Sequence, residues 1–120
     1  MSTILGETGE KKFLLGNEAI ARGAIEAGVK VATSYPGTPA SEILSSLARV
    51  AEKVGMYVEW AVNEKVAFEV AFAASLANVR AMMSCKHLGV NWISDALLVA
   101  AYTGVNGGLV IVSADDTHPY

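Results

Sequence analysis

Apolar positions fall along the chain in blocks whose period alternates between that of a helix and that of a strand. Asn17 to Ala27 (NEAIARGAIEA) reads as a helix, with Asn17 as its cap and Gly28 at the left-handed position that ends it. Val29 to Thr33 reads as a strand. Ser34-Tyr35-Pro36-Gly37-Thr38-Pro39 is a turn cluster, and Thr38 followed by Pro39 predicts an N-cap and first residue for a helix running to about Val54. Ile43, Leu44, Leu47, Val50 and Val54 form the apolar stripe of that helix. Gly55 closes it, and Met56 to Val62 has the β-branched and aromatic content of a second strand. Asn63 stands where it can cap the helix Glu64 to Ala77, which is apolar on nearly every face except at Lys65, Glu69 and Ser75. Such a helix predicts cover all round, from sheet, other helices or a partner chain. Arg80 to Lys86 reads as a third strand, His87 to Asn91 as a loop, Trp92 to Tyr102 as a short helix and Leu109 to Ser113 as a fourth strand.

Helices alternating with strands too apolar to have a wet face predict an α/β fold, a parallel sheet with helices on both faces and right-handed crossovers. Open sheets of this kind bind ligands beyond the carboxyl ends of their strands. Four segments sit there: Tyr35 to Pro39, Asn63-Glu64, His87 to Asn91 and Ala114 to His118. The sequence stops just after a strand with no closing helix, which predicts an incomplete sheet that needs a partner, an oligomer or further chain. Residues 1–12 read as a polar lead-in.

Composition narrows the function classes. The 120 residues are 52% hydrophobic, enough for one domain with a real core. Nine Lys and Arg against twelve Asp and Glu give a net charge of −3, so neither nucleic acid nor an anionic membrane is an expected partner. Ala96 to Ala114 carries no charge and has the length of a bilayer span, but the turn formers from Thr103 to Gly108 divide it into a helix and a strand. Met1 to Lys12 lacks an apolar core and is not a secretory signal. A single cysteine, Cys85, makes no internal disulfide, and with only His87 and His118 beside it no metal site is expected. A reduced, cytoplasmic protein is the expectation.

No dinucleotide fingerprint, P-loop or nucleophile elbow occurs. Glu64 follows an apolar strand and opens an apolar helix, so its carboxylate stands at the ligand edge in poorly solvated surroundings, where it can be a tuned acid or base. The alternative is a glutamate that merely complements the helix dipole. Thr38 puts a hydroxyl on a stiff turn at the same edge, or is a plain N-cap. Lys86, His87 and Asn91 add cationic, imidazole and amide groups if the loops converge; otherwise they are a surface lysine and a satisfied histidine. Cys85 lies inside an apolar strand and is not expected to be reactive.

Three segments taken together, Gly16 to Ile43 (GNEAIARGAIEAGVKVATSYPGTPASEI), Glu59 to Ala77 (EWAVNEKVAFEVAFAASLA) and Ser84 to Leu98 (SCKHLGVNWISDALL), resemble the pyrimidine-binding domain of 2-oxoacid:ferredoxin oxidoreductases. The combination of Y-P-G-T-P, N-E-K-V-A and K-H-x-G-x-N is specific, and Gly37 is more like the alpha subunits of the indolepyruvate branch than the branches that tend to have isoleucine there. The resemblance runs from Phe13 to Asp116 and implies that residues 13–120 are the N-terminal part of a thiamine diphosphate-binding domain. It further implies oxidative decarboxylation of aryl pyruvates, transfer of the acyl group to coenzyme A and reduction of ferredoxin, with the rest of the alpha subunit and a beta subunit as partners. Glu64 matches the glutamate that hydrogen-bonds N1′ of the aminopyrimidine and activates the cofactor. Thr38, Lys86 and His87 match the side that faces the substrate, and Tyr35, Pro36, Gly37, Gly89 and Asn91 match the loops around the cofactor. The G-D-G motif that holds diphosphate and Mg²⁺ and the cysteines of the [4Fe–4S] clusters are not in this sequence, so the resemblance implies a pyrimidine half-site alone, in a fragment that is inactive by itself. The apolar helix Glu64 to Ala77 and the uncovered sheet after Ser113 predict that the fragment self-associates. The contrasting expectations are the alpha chain of a non-oxidative thiamine-dependent 2-oxoacid decarboxylase, and an assembly module without catalysis.

Overall fold

The computed structural model describes residues 4–117. Its elements are α1 (Gly16–Glu26), β1 (Val31–Ser34), α2 (Ser41–Ala48), α3 (Ala51–Val54), β2 (Tyr57–Trp60), α4 (Glu64–Leu76), β3 (Ala81–Lys86), α5 (His87–Trp92), α6 (Ser94–Thr103) and β4 (Leu109–Ala114). The strands form one parallel sheet in the order β2-β1-β3-β4. The chain leaves β1 toward β2 on one side and returns to β3 on the other, so the topological switch point lies between the carboxyl ends of β1 and β3.

The alternation of strand side chains sorts the interior into two cores. Ala32 and Met82 meet Ala21, Ala24, Ile43, Leu44 and Leu47 of α1 and α2 on one face, while Ala81, Met83 and Cys85 meet Ala67, Phe68 and Ala71 of α4 with Ile93 and Ala100 on the other. Full burial of a side chain such as Phe68 or Leu47 contributes about 1.5–3 kcal/mol. Ile4, in the lead-in, is buried in the first core, and its carbonyl accepts a hydrogen bond from the Arg22 guanidinium at 2.9 Å.

Several local expectations are corrected. Asn17 does not cap α1; Leu15 holds that position and its N–H donates to the Glu18 carboxylate at 2.9 Å, which starts the helix earlier and releases the Asn17 side chain. Thr38 is not an N-cap either. The Thr38–Pro39 peptide is cis and α2 begins only at Ser41, after Ala40. The expected long helix breaks at Arg49 and Val50 into α2 and α3, with Val50 still in the core. His87 to Asn91 is not a loop but most of α5, since Gly89 can turn inward where a side chain cannot. Only one side of α4 is covered, at Ala67, Phe68, Ala71 and Ser75, while Ala73 and Leu76 are exposed. The edge strands have a wet face after all: Tyr57 on β2 and Val110 on β4 are each 56% exposed. Among the described residues no helix is long and apolar enough to cross a membrane.

Candidate functional site

The carboxyl ends of the strands are drawn together by two close backbone approaches. Gly37, in the loop after β1, lies against the start of α5, where a Cβ would stand 3.3 Å from Lys86 Cβ. Gly89, buried on α5, lies against the start of α4, where a Cβ would stand 2.7 Å from Glu64 Cγ and 2.8 Å from Cys85 Cβ. The fourth loop joins through an ion pair of Lys86 Nζ with Asp116 Oδ2 at 2.6 Å. Residues 35–39, Glu64, 86–91 and Asp116 therefore share one edge, astride the switch point.

Glu64 is the first residue of α4. Asn63, as the sequence predicts, caps the helix by accepting the Val66 N–H at 2.9 Å, so that donor of the first turn is satisfied without Glu64. Glu64 is partly buried, and its carboxylate takes no hydrogen bond or ion pair among the described residues. Beside it the Cys85 thiol is pushed up to about 11, first by burial and then by the charge of Glu64. A thiol held that high stays protonated at neutral pH and is not a nucleophile.

At the switch point itself β1 and β3 carry paired hydroxyls. Ser34 and Ser84 are paired in register, and Ser34 Oγ donates to the Ser84 carbonyl at 2.7 Å. Thr33 Oγ1 donates to the Ala67 carbonyl at 2.6 Å, tying β1 to α4. Ser84 Oγ and His87 Nδ1 are buried without a hydrogen-bond partner. Buried polar atoms are normally paired, so these two mark an edge with unspent hydrogen-bonding capacity.

No protein-family model matches the chain. Indolepyruvate oxidoreductase subunit IorA of Archaeoglobus fulgidus is 58% identical over 112 residues, covering 90% of this chain and 18% of the relative. The IorA subunit of Pyrococcus horikoshii is 54% identical over 108 residues, covering 90% and 17%. The 2-oxoglutarate synthase subunit KorA of Methanocaldococcus jannaschii is more distant, 33% identical over 92 residues, covering 77% of this chain and 25% of the relative. The solved 2-oxoglutarate:ferredoxin oxidoreductase from Magnetococcus marinus, with 2-oxoglutarate, coenzyme A and succinyl-CoA bound, superposes with a TM-score of 0.83 at 25% identity, covering 89% of this chain and 18% of that one. The chain belongs to the 2-oxoacid:ferredoxin oxidoreductase family. It spans less than a fifth of the length of the IorA subunits it matches.

Within this family fold, the expected pyrimidine-domain type, the structure places the site residues predicted from sequence as follows. Glu64 and Gly89 are in contact, and Gly37 meets Lys86. Tyr35, Pro36 and Thr38 are exposed on the loop after β1, and Asn91 is exposed on α5. His87 opens α5, and the Lys86 ammonium is engaged by Asp116. His118 lies outside the described residues. The sequence reading missed Ser34 and Ser84, whose signal was a serine near the carboxyl end of each of two mainly apolar strands. It also missed Asn17, whose side chain reaches the loop after β1 at Pro39.

Proposed function

We propose that this chain supplies the aminopyrimidine half of a thiamine diphosphate site in a cytoplasmic 2-oxoacid:ferredoxin oxidoreductase acting on aryl pyruvates. The observation that carries the reading is the Glu64 carboxylate, unpaired among the described residues and seated against Gly89 beside the switch point. The residues fit the group: an acceptor carboxylate is free for a ring N–H, the glycine leaves room for it, and the orphaned His87 Nδ1 adds polar capacity nearby. When bound, thiamine diphosphate supplies a nucleophilic carbon for the keto group of a 2-oxoacid and takes up the electrons left by decarboxylation. Glu64 accepts the hydrogen bond of N1′ and favours the ring tautomer whose exocyclic nitrogen can receive a proton. Partial burial strengthens that bond by lowering the local dielectric. Thr38, on the facing loop, offers its hydroxyl to the substrate carboxylate or keto oxygen. His87 borders the same space, Lys86 holds the loops through Asp116, and Tyr35, Pro36, Gly37, Gly89 and Asn91 line the approach. Diphosphate, Mg²⁺ and the [4Fe–4S] clusters fall to the remainder of the alpha subunit and to the beta subunit, which with coenzyme A and ferredoxin complete the reaction.

The test is ferredoxin reduction by the assembled enzyme given coenzyme A and either indolepyruvate, 2-oxoglutarate or sulfopyruvate. Reduction fastest with indolepyruvate and dependent on added thiamine diphosphate is the expected result. Decarboxylation that proceeds without any electron acceptor would assign the chain to the non-oxidative enzymes instead.

A further inference from the structure

The Tyr35 to Pro39 loop has no regular secondary structure, yet its backbone is tied down on three sides. The Gly37 N–H donates to Ser41 Oγ at 2.9 Å and the Ala40 N–H donates to the Gly37 carbonyl at 2.8 Å, which fix the loop to the start of α2. The third tie comes from far away in sequence. Asn17 Nδ2, on α1, donates to the Pro39 carbonyl at 2.6 Å and to Glu42 Oε2 at 2.8 Å. Both hydrogens of a single amide are spent, one on the loop and one on α2, and the residue bonded is the neighbour of Thr38. Asn17 is free for this because Glu18 takes over the start of α1.

We propose that Asn17 is a positioning residue for substrate binding, acting through the Pro39 carbonyl to fix where the Thr38 hydroxyl stands. The proposal rests on the reading that Thr38 faces the 2-oxoacid. A shift of the loop moves that hydroxyl, while Glu64 keeps its own anchors, the start of α4 and the contact with Gly89. The consequence is a change in substrate affinity rather than in the chemical step. Asn17→Asp keeps the size and replaces the donor with a charge that faces both the Pro39 carbonyl and the Glu42 carboxylate. Asn17→Asp with Glu42→Gln restores a donor and acceptor pair between α1 and α2 but not the bond to Pro39.

Two measurements test this. Hydrogen exchange in this chain should quicken about tenfold at Gly37 and Ala40 in Asn17→Asp, with the β3 amides unchanged, because the bonds lost run to the loop and to α2 and none reaches β3. In the assembled enzyme, Asn17→Asp should raise KM for the 2-oxoacid about tenfold, the loss of one well-made hydrogen bond, with kcat within about threefold of the parent. The double variant should regain thermal stability while KM stays high. A KM restored in the double variant, or a fall in kcat with KM unchanged, or unaltered exchange at Gly37, each overturns the role assigned to Asn17. Thr38→Ala is the control for the underlying reading. If Thr38→Ala leaves KM unchanged while Asn17→Asp quickens exchange at Gly37, the substrate role of the loop is withdrawn and the inference with it. If Thr38→Ala raises KM and Asn17→Asp does not, the reading of the loop stands and Asn17 alone loses its role.

Discussion

Replacing Gly89 with alanine adds one methyl group at the point where three elements meet. That carbon would stand 2.7 Å from Glu64 Cγ, 2.8 Å from Cys85 Cβ and 3.2 Å from Cys85 Sγ. Carbon atoms in good contact sit about 3.5–4.0 Å apart, so the overlap approaches about 1 Å on two sides. Cys85 is fully buried near the carboxyl end of β3, hydrogen-bonded into the sheet, and cannot give way, which leaves Glu64 or the whole of α5 to move. Overpacking of this kind costs about 1–3 kcal/mol, against about 0.5–1 kcal/mol gained by removing a glycine from a helix. The net loss is about 1 kcal/mol, or a Tm lower by about 3–6 °C. On the role proposed for Glu64, displacing its carboxylate by about 1 Å costs on the order of 10²-fold in rate, so the effect on turnover should exceed the effect on stability. Gly23, in α1, is the control, because a Cβ there meets nothing within 4 Å. Gly23→Ala should raise Tm, whereas Gly89→Ala should lower Tm of this chain and slow cofactor C2 proton exchange in the assembled enzyme. A Gly89→Ala protein that melts like Gly23→Ala and exchanges at the parent rate would refute the seating of Glu64 against α5.

Asn63→Ala removes the acceptor of the Val66 N–H and should cost about 1 kcal/mol, read as a lower urea midpoint at constant slope. The Cys85 thiol is raised from 9.0 to about 11 in the folded chain, so the folded state binds more protons than the unfolded state between those values. Stability should therefore be intact below about pH 9 and fall as pH rises toward 11, and Cys85→Ala should flatten that part of the unfolding profile. Trp92, Leu98 and Tyr102, 64%, 70% and 94% exposed on α5 and α6, predict concentration-dependent self-association of this chain by sedimentation equilibrium. A strictly monomeric species at high concentration would contradict that.

The sheet was legible because its signals are local. The strand block Leu109 to Ala114 follows the turn formers Asn106 to Gly108, and Gly28 and Gly55, both at positive φ, stand where helices stop. Asn63 was legible as a cap for the same reason. What the sequence concealed depends on partners distant along the chain. Asn17 has the residue type of a cap, and only the fold shows that its amide is spent on Pro39 and Glu42. Gly89 reads as a loop glycine, although it is helical and marks the contact of α5 with Glu64. Thr38-Pro39 reads as a helix start because residue types alone do not distinguish a trans from a cis peptide. The alternation of elements makes the carboxyl edge of the sheet legible, but not the pairing of Lys86 with Asp116, which links the end of β3 to the segment after β4 across a strand and two helices.

The central claim, that Glu64 is the proton-handling group of a thiamine site, is tested most directly by deuterium exchange at C2 of thiamine diphosphate in the assembled enzyme carrying Glu64→Gln, followed by NMR without substrate. The substitution keeps the size of the side chain and one hydrogen bond but removes the charge that favours the active ring tautomer. Exchange should fall roughly 10²–10⁴-fold while the cofactor remains bound, the usual span for loss of an acid–base group. Exchange at the parent rate would make Glu64 a dipole-complementing glutamate and contradict the account.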